Sequence, residues 1–332
     1  MISKSKPDVS FAQAAKWLKR DLGETLETMT PLGEGEYNAV LRCQTESGRS
    51  VVLKVAPKPD CPVLTYERNM MSSELHWYET IQRQTDIPTP KILASSSKGD
   101  PSGLAYFLME DLEGEPADRR PQSDAETHSI LLQKTAAMAS MHRIKGSGYG
   151  YVQRGLKETW FLAIESMIAD LLEDATKKNK PSKRGMRLLQ VVRDSKAVLE
   201  TVECRMVNFD LWDSNWLVTN QDSKTKLALI DPERCFYGDF IGDFVAFEFL
   251  KPLAKKTQTL ESYRAQGGLV FDLGDDTILR YAILTGYLAL IMEVEKHYRY
   301  KPGMVGWTRN VVVSRLLYTQ AFSMIGSAKK SR

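Results

Sequence analysis

The chain has 332 residues, enough for about two domains, or one domain of two lobes, at roughly 150 residues each. Its 45 basic and 42 acidic residues leave a net charge of +3, a balance that excludes an obligatory nucleic-acid coat protein, where basic residues dominate. The 42% apolar and 26% charged composition belongs to a chain that buries a sizeable core and not to a disordered one.

The first ten residues carry lysines with no apolar stretch behind them, so no secretory signal is expected. Phe11, Ala14, Ala15, Leu18 and Leu22 recur at helical spacing and predict a helix over 10–22. The period then changes, and 26–32, 38–44 and 51–56 read as strands, with Glu46-Ser47-Gly48 turning between the second and third. Residues 63–84 predict a long helix, stopped before Pro88-Thr89-Pro90, and 92–94 and 105–109 predict two more short strands. The first 110 residues are thus expected to be antiparallel sheet with one inserted helix.

Beyond Gly114 the apolar spacing is helical over 129–143, 160–177, 187–202 and several stretches from Asp243 onward. Strand-like runs at 215–219 and 227–230 interrupt it. The basic run 177–187 reads as a solvated loop between helices. The longest apolar run, 281–292, is about a dozen residues against the roughly 20 that span a bilayer. Cys43, Cys61, Cys204 and Cys235 are scattered with no Cys-x-x-Cys pair, which predicts reduced, mostly buried thiols in a cytoplasmic protein.

Four constellations can carry chemistry. Gly33-Glu34-Gly35-Glu36-Tyr37-Asn38 lies between two predicted strands, either a plain hairpin turn or a loop whose backbone N–H groups approach phosphate. It is neither a Rossmann fingerprint nor a Walker loop, having no helix after it and no Lys-Ser or Lys-Thr. Lys54 sits inside an apolar strand, so it faces outward or finds a partner, for which Glu74 on the next helix is placed. Asp210 and Asn215 stand at the two ends of one loop before an apolar strand. The carboxylate can accept a hydroxyl proton, and the carboxamide oxygen is a hard ligand suited to Mg²⁺. Asp231 closes the strand 227–230 and could ligate a metal from the other side. Each could instead cap a turn; the order Gly loop, strand Lys, helix Glu, loop Asp-x4-Asn, strand-end Asp argues against coincidence.

In that order the chain resembles the aminoglycoside phosphotransferase family, small-molecule kinases with a protein-kinase-like fold, from about residue 25 to about 300. Asp210-Leu211-Trp212-Asp213-Ser214-Asn215 is similar to its catalytic loop, Ile230-Asp231-Pro232-Glu233-Arg234 to its metal-binding segment, and Gly238-Asp239 through Asp243 to its G-D-x-x-x-D run. Residues 106–114 resemble the hinge, and Met141-His142-Arg143 with Tyr149-Gly150-Tyr151 resemble bacterial members. One departure is plain: histidine is usual two residues before the catalytic aspartate, and here Asn208 stands there.

The resemblance implies a bilobal α+β fold. An antiparallel-sheet N-terminal lobe with one long helix would occupy 1–112, with a hinge about 109–114. A mostly helical lobe with the catalytic loop and acceptor site would occupy 113–332. It implies that Gly33, Gly35 and Asn38 cover the phosphates of ATP (GTP being the alternative), and that Lys54, held by Glu74, contacts them. Backbone groups of Glu110 and Leu112 would meet the adenine edge. Asp210 would be the base, Asn215 and Asp231 would hold Mg²⁺, and Asp243 would anchor the catalytic-loop backbone. The expected activity moves the γ-phosphate to a hydroxyl of a small molecule, an aminoglycoside-like antibiotic or a sugar or amino-alcohol metabolite. Asp213, Glu233, Asp272, Asp275 and Asp276 are candidate acids for a cationic acceptor, the last three reading more simply as exposed loop acids and helix caps. Neither nucleic acid nor membrane is an expected partner. The alternative is a nucleotide-binding pseudokinase or scaffold, motivated by Asn208 and Phe209.

Overall fold

The computed structural model describes residues 6–32, 37–96, 103–119, 122–221 and 224–330. The opening helix α1 (Phe11–Leu22) is capped by Ser10, whose hydroxyl accepts from Gln13 N–H, and ends at Gly23 in a left-handed turn. It packs Trp17 against Tyr106, ring centroids 4.2 Å apart. Five strands follow: β1 (Leu26–Pro31), β2 (Ala39–Thr45), β3 (Ser50–Val55), β4 (Ile92–Ser96) and β5 (Tyr106–Glu110). They form one antiparallel sheet in the order β1-β2-β3-β5-β4. The central strand β3 is apolar on both faces because both are covered. On one side α1 joins the core of Val51, Leu53 and Val55; on the other, α2 (Met70–Gln84) brings Met71 and Tyr78 against Val52, Phe107 and Met109.

The helix predicted over 63–84 is broken. Thr65–Glu67 form a 3-10 turn, and Asn69, at φ 59°, resets the backbone before α2 begins. The remaining predicted strands match the sheet closely.

The hinge leads into β6 (Glu115–Pro116) and the helical lobe. Gly114 is required there, since a Cβ would stand 2.9 Å from Val218 O. This lobe contains α3 (Asp124–Arg143), α4 (Trp160–Lys177), α5 (Lys183–Asp194), α6 (Lys196–Leu199), β7 (Arg205–Val207), β8 (Trp216–Gln221), β9 (Lys224–Leu229), β10 (Phe236–Gly238), α7 (Thr257–Ala265), α8 (Asp275–Arg299) and α9 (Val305–Lys330). The basic run is shorter as a loop than expected. Ser182 accepts from Gly185 N–H and starts α5 inside it, and the stretch 187–202 divides between α5 and α6. Cys43 and Cys235 are buried, while Cys61 and Cys204 are only half-buried.

The apolar run 281–292 is part of the 25-residue α8, which by length and composition is apolar enough to cross a membrane. Most of that stretch is buried inside the lobe, packed on α4, α5 and α9, so it serves as the core helix.

Two small antiparallel pairs set up the site. β7 pairs with β10, Val207 opposite Phe236, and β8 pairs with β9, Trp216 opposite Leu229. The loop 208–215 joins β7 to β8, and the loop 230–235 joins β9 to β10. Nested pairing therefore lays the two loops side by side, with Ile230 N–H donating to Asn215 O at 3.0 Å.

Candidate active site

Lys54 is 3% exposed next to the last residue of β3, opposite Val40 and Phe107. Its Nζ lies 2.7 Å from Glu74 Oε1, bonds to Asp231 Oδ1, and stands 3.7 Å from Glu233 Oε2. Burial alone would lower the Lys54 ammonium, but the carboxylates of Asp231, Glu74 and Glu233 outweigh it and hold its pKa well above the ordinary lysine value. For Glu74 and Glu233, burial acts upward. Burial pushes Glu74 up to about 7 against the pull of Lys54, and burial with the charge of Asp231 pushes Glu233 well above the usual carboxylate range.

Oxygen atoms of Glu74, Asp231 and Glu233 all lie within 4.8 Å of one another. Glu74 Oε2 is buried with no hydrogen-bond partner. Three hard oxygen donors, one with an unsatisfied atom, fit a divalent cation of the Mg²⁺ type. Asn38 reaches the same cluster, donating Nδ2 to Glu233 Oε2 at 3.2 Å, while its Oδ1 is buried and unpaired. Gly33 and Gly35 lie outside the described residues.

Asp210 is 8% exposed and both its oxygens accept: Oδ1 from Trp212 Nε1 at 2.9 Å, Oδ2 from Asn215 Nδ2 at 3.0 Å. Asn215 Nδ2 also donates to Asp210 O at 2.8 Å, which leaves Oδ1 as its ligand-capable atom. Arg234 Nη1 stands 3.7 Å from Asp210 Oδ1. The loop's backbone is held from behind by Asp243, fully buried, which accepts from Asn208 N–H at 3.2 Å and Phe209 N–H at 2.6 Å. That anchor supports Phe209 at φ 59°, a costly conformation for an aromatic residue. Asp231 carries φ 58° in the neighbouring loop, its N–H donating to Tyr78 Oη at 3.0 Å. Asn208, in the position where the resemblance expects histidine, accepts Asp210 N–H on Oδ1 at 3.0 Å.

Sequence reading missed the role of His142. It is fully buried, its Nε2 2.9 Å from Asp243 Oδ2 and its Nδ1 2.8 Å from Tyr263 Oη, so it fixes the anchor of the loop. Arg234 was also missed as a neighbour of Asp210, although it directly follows the strand-end motif. Glu233, read as an acceptor acid, instead joins the Lys54 cluster. Asp213 pairs with Lys134. Asp272 accepts from Gly274 N–H, and Asp275 and Asp276 occupy the exposed first turn of α8, so these three read as loop and cap residues. At the hinge, Glu110 spends its N–H on Lys91 O at 2.9 Å. Leu112 lines a cavity of about 740 Å³ between the hinge and the β8–β9 hairpin.

The chain resembles known proteins over nearly its whole length. It matches the solved structure of a Thermobifida fusca protein assigned by name to the fructosamine-3-kinases, with TM-score 0.65 and 15% identity, covering 93% of this chain and 100% of that one. A Ralstonia eutropha protein assigned by name to the aminoglycoside phosphotransferases matches at TM-score 0.65 and 14% identity, covering 97% and 98%. The streptomycin–ATP complex of APH(2")-IIa matches at TM-score 0.59 and 14% identity, covering 96% and 99%. At these identities the likeness shows a shared protein-kinase-like fold. No curated protein sequence matches the chain. The model of the phosphotransferase enzyme family, APH, matches residues 28–248, a span from β1 through the loop after Asp243. With that match over most of its length, the chain belongs to the phosphotransferase enzyme family and is a small-molecule kinase.

Proposed function

We propose that the chain transfers the γ-phosphoryl group of ATP to a hydroxyl of a small molecule, with Asp210 as the base and Asn215, Asp231 and Glu233 holding Mg²⁺. The observation that carries this reading is a charge cluster around Lys54 that is reached from both lobes. Lys54, Glu74 and Asn38 come from the sheet lobe and Asp231 and Glu233 from the helical lobe, while the loop of Asp210 is bonded to that of Asp231 through Asn215 O and Ile230 N–H.

Phosphoryl transfer through a loose transition state asks for positioning and charge neutralisation more than covalent chemistry. A bound Mg²⁺ supplies that neutralisation at the phosphate oxygens. Lys54, kept protonated by its three carboxylates, adds a fixed positive charge on the same side. Asp210, held on both oxygens, receives the hydroxyl proton, which leaves late and so asks little of its basicity. Asn208 keeps the loop hydrogen-bonded at Asp210 N–H, which favours an active enzyme over a pseudokinase.

The acceptor reading follows from charge. Arg234 sits beside the base, and the acids that could gather a polycation are paired or exposed on loops. A sugar or amino alcohol fits this surrounding better than a polycationic aminoglycoside.

Thermal unfolding with ATP or GTP, each with and without Mg²⁺, tests the site on wild type and Asp231→Ala. A ligand that binds only the folded state must raise its stability by mass action. A Mg²⁺-dependent rise that Asp231→Ala abolishes is expected, followed by transfer from ATP to members of a sugar and amino-alcohol panel. No rise with either nucleotide at millimolar concentration would sink the kinase reading.

A further inference from the structure

Between β3 and α2 the chain runs through residues 56–69, and the end of this detour lies against the helical lobe. Thr65 donates its N–H and hydroxyl to the two oxygens of Asp174 on α4, at 2.6 and 2.7 Å. Gln153 Nε2 donates to Tyr66 O at 2.8 Å, and the Tyr66 ring stacks on Tyr151 at 5.3 Å. Glu67, 2% exposed, receives Arg299 Nη2 on Oε1 at 2.5 Å. Its second oxygen accepts Leu64 N–H at 2.9 Å, and its backbone carbonyl accepts Tyr37 Oη at 2.7 Å.

Arg299 stands at the last turn of α8 and also pairs with Glu295 at 2.9 Å. Glu295 in turn pairs with Arg234 at 3.2 Å, and Arg234 is the neighbour of Asp210. Buried charges thus run without a gap from the entrance of α2 to the base. A buried ion pair adds little net stability over an apolar pair, and its attested use is to specify one arrangement among several. Here the arrangement it specifies is the seat of α2. Glu67 is three residues before the helix, and Glu74, which holds Lys54, is in its second turn.

We propose that Glu67 and Arg299 form a latch between the lobes, positioning residues that hold α2 inward and so keep Glu74 on Lys54. The proposal rests on the kinase reading for its consequence, nucleotide affinity, but the latch itself is a statement about the seating of α2. With Arg299 removed, Glu67 becomes a buried carboxylate without its cation, and the detour must open to hydrate it. The first turns of α2 then follow, and Lys54 loses its fixed partner.

The test measures binding of the Mg²⁺ complex of a non-hydrolysable ATP analogue by calorimetry, with amide hydrogen exchange on the free protein. Arg299→Gln should weaken binding roughly tenfold and speed exchange over 70–84, while the amides of α4 and α5 stay as protected as in wild type. Arg299→Lys should recover most of the affinity. Glu67→Gln combined with Arg299→Gln should be no weaker than Arg299→Gln alone. If Arg299→Gln does not fold, Glu67→Gln alone carries the same test. Wild-type affinity together with wild-type exchange over 70–84 in the single variants would overturn the latch. A wild type that binds no nucleotide would overturn the kinase reading instead, and exchange on the free protein would still decide the latch.

Discussion

The indole N–H of Trp212 donates to the carboxylate of Asp210 at 2.9 Å, two residues back along the same loop. Burial pushes the Asp210 carboxyl above its ordinary value, Arg234 opposing the rise and Asp231 adding to it. With Asp210 as the proposed base, a raised pKa means that it works above that pKa and fails as pH falls through it, so the acid limb of the rate profile should lie above the usual aspartate range. Trp212→Phe keeps the ring and removes a donor to the ionised form, which raises the pKa further. The limb should move to higher pH and kcat should fall about tenfold, roughly as for one lost charge-assisted bond, with KM for nucleotide unchanged. A pH–rate series on both proteins checks this; a limb that stays in place would remove Trp212 from the tuning of Asp210.

Lys54 is enclosed by Glu74, Asp231 and Glu233, and its loss leaves three carboxylates facing each other. Breaking a buried pair on one side costs about 3–5 kcal/mol, partly relieved here because Glu74, pushed up to about 7, can take a proton. Lys54→Ala should therefore unfold at lower temperature than wild type. Mg²⁺ alone, with no nucleotide, should raise the melting temperature of the variant by more than it raises that of wild type. Equal Mg²⁺ shifts in the two proteins would mean that the carboxylates do not form a cation site.

Asp243 accepts two backbone N–H groups of the loop 208–215 and faces His142, all in a fully buried setting. Asp243→Ala leaves those donors unpaired at about 1–3 kcal/mol each and releases Phe209 from φ 59°. The variant should lose several kcal/mol in urea unfolding and lose transfer activity even where it remains folded. Folded variant with wild-type turnover would show that the packing of Phe209 holds the loop without the carboxylate.

Period and spacing alone located the sheet strands and most helices, because β3 is a short apolar run covered on both faces and α4 carries an apolar stripe at helical spacing. They failed where a local signal was tertiary. The helix predicted from residue 63 begins at Met70, since Asn69 takes a left-handed conformation while the segment before it is held by Asp174, Gln153 and Arg299 from the other lobe. Lys54, Glu74, Asp210, Asn215 and Asp231 were legible as a motif order, and the nested pairing of β7–β10 and β8–β9 lays the loop of Asp210 and Asn215 beside that of Asp231. Glu233 and Arg234 were visible only as neighbours of Asp231. Which of them turns to Lys54 and which to Asp210 depends on the left-handed turn at Asp231 itself.

Asn208 supplies the last prediction. Its Oδ1 accepts Asp210 N–H at 3.0 Å, and its Nδ2 is buried with no partner, so the side chain satisfies the loop through a single bond. Asn208→Ala removes that bond and leaves the Asp210 N–H buried and unpaired, costing about 1–3 kcal/mol. Because Asp243 still holds the backbone at Asn208 and Phe209, the loop should keep its course and lose only its rigidity at Asp210. Turnover should fall about tenfold, the equivalent of about 1.4 kcal/mol, while KM for nucleotide stays near wild type, since Lys54 and Asp231 are untouched. Steady-state kinetics with the acceptor found by the panel separates the two parameters. An unchanged kcat would mean that Trp212 and Asn215 suffice to place the Asp210 carboxylate, and that the position before it bears on stability alone.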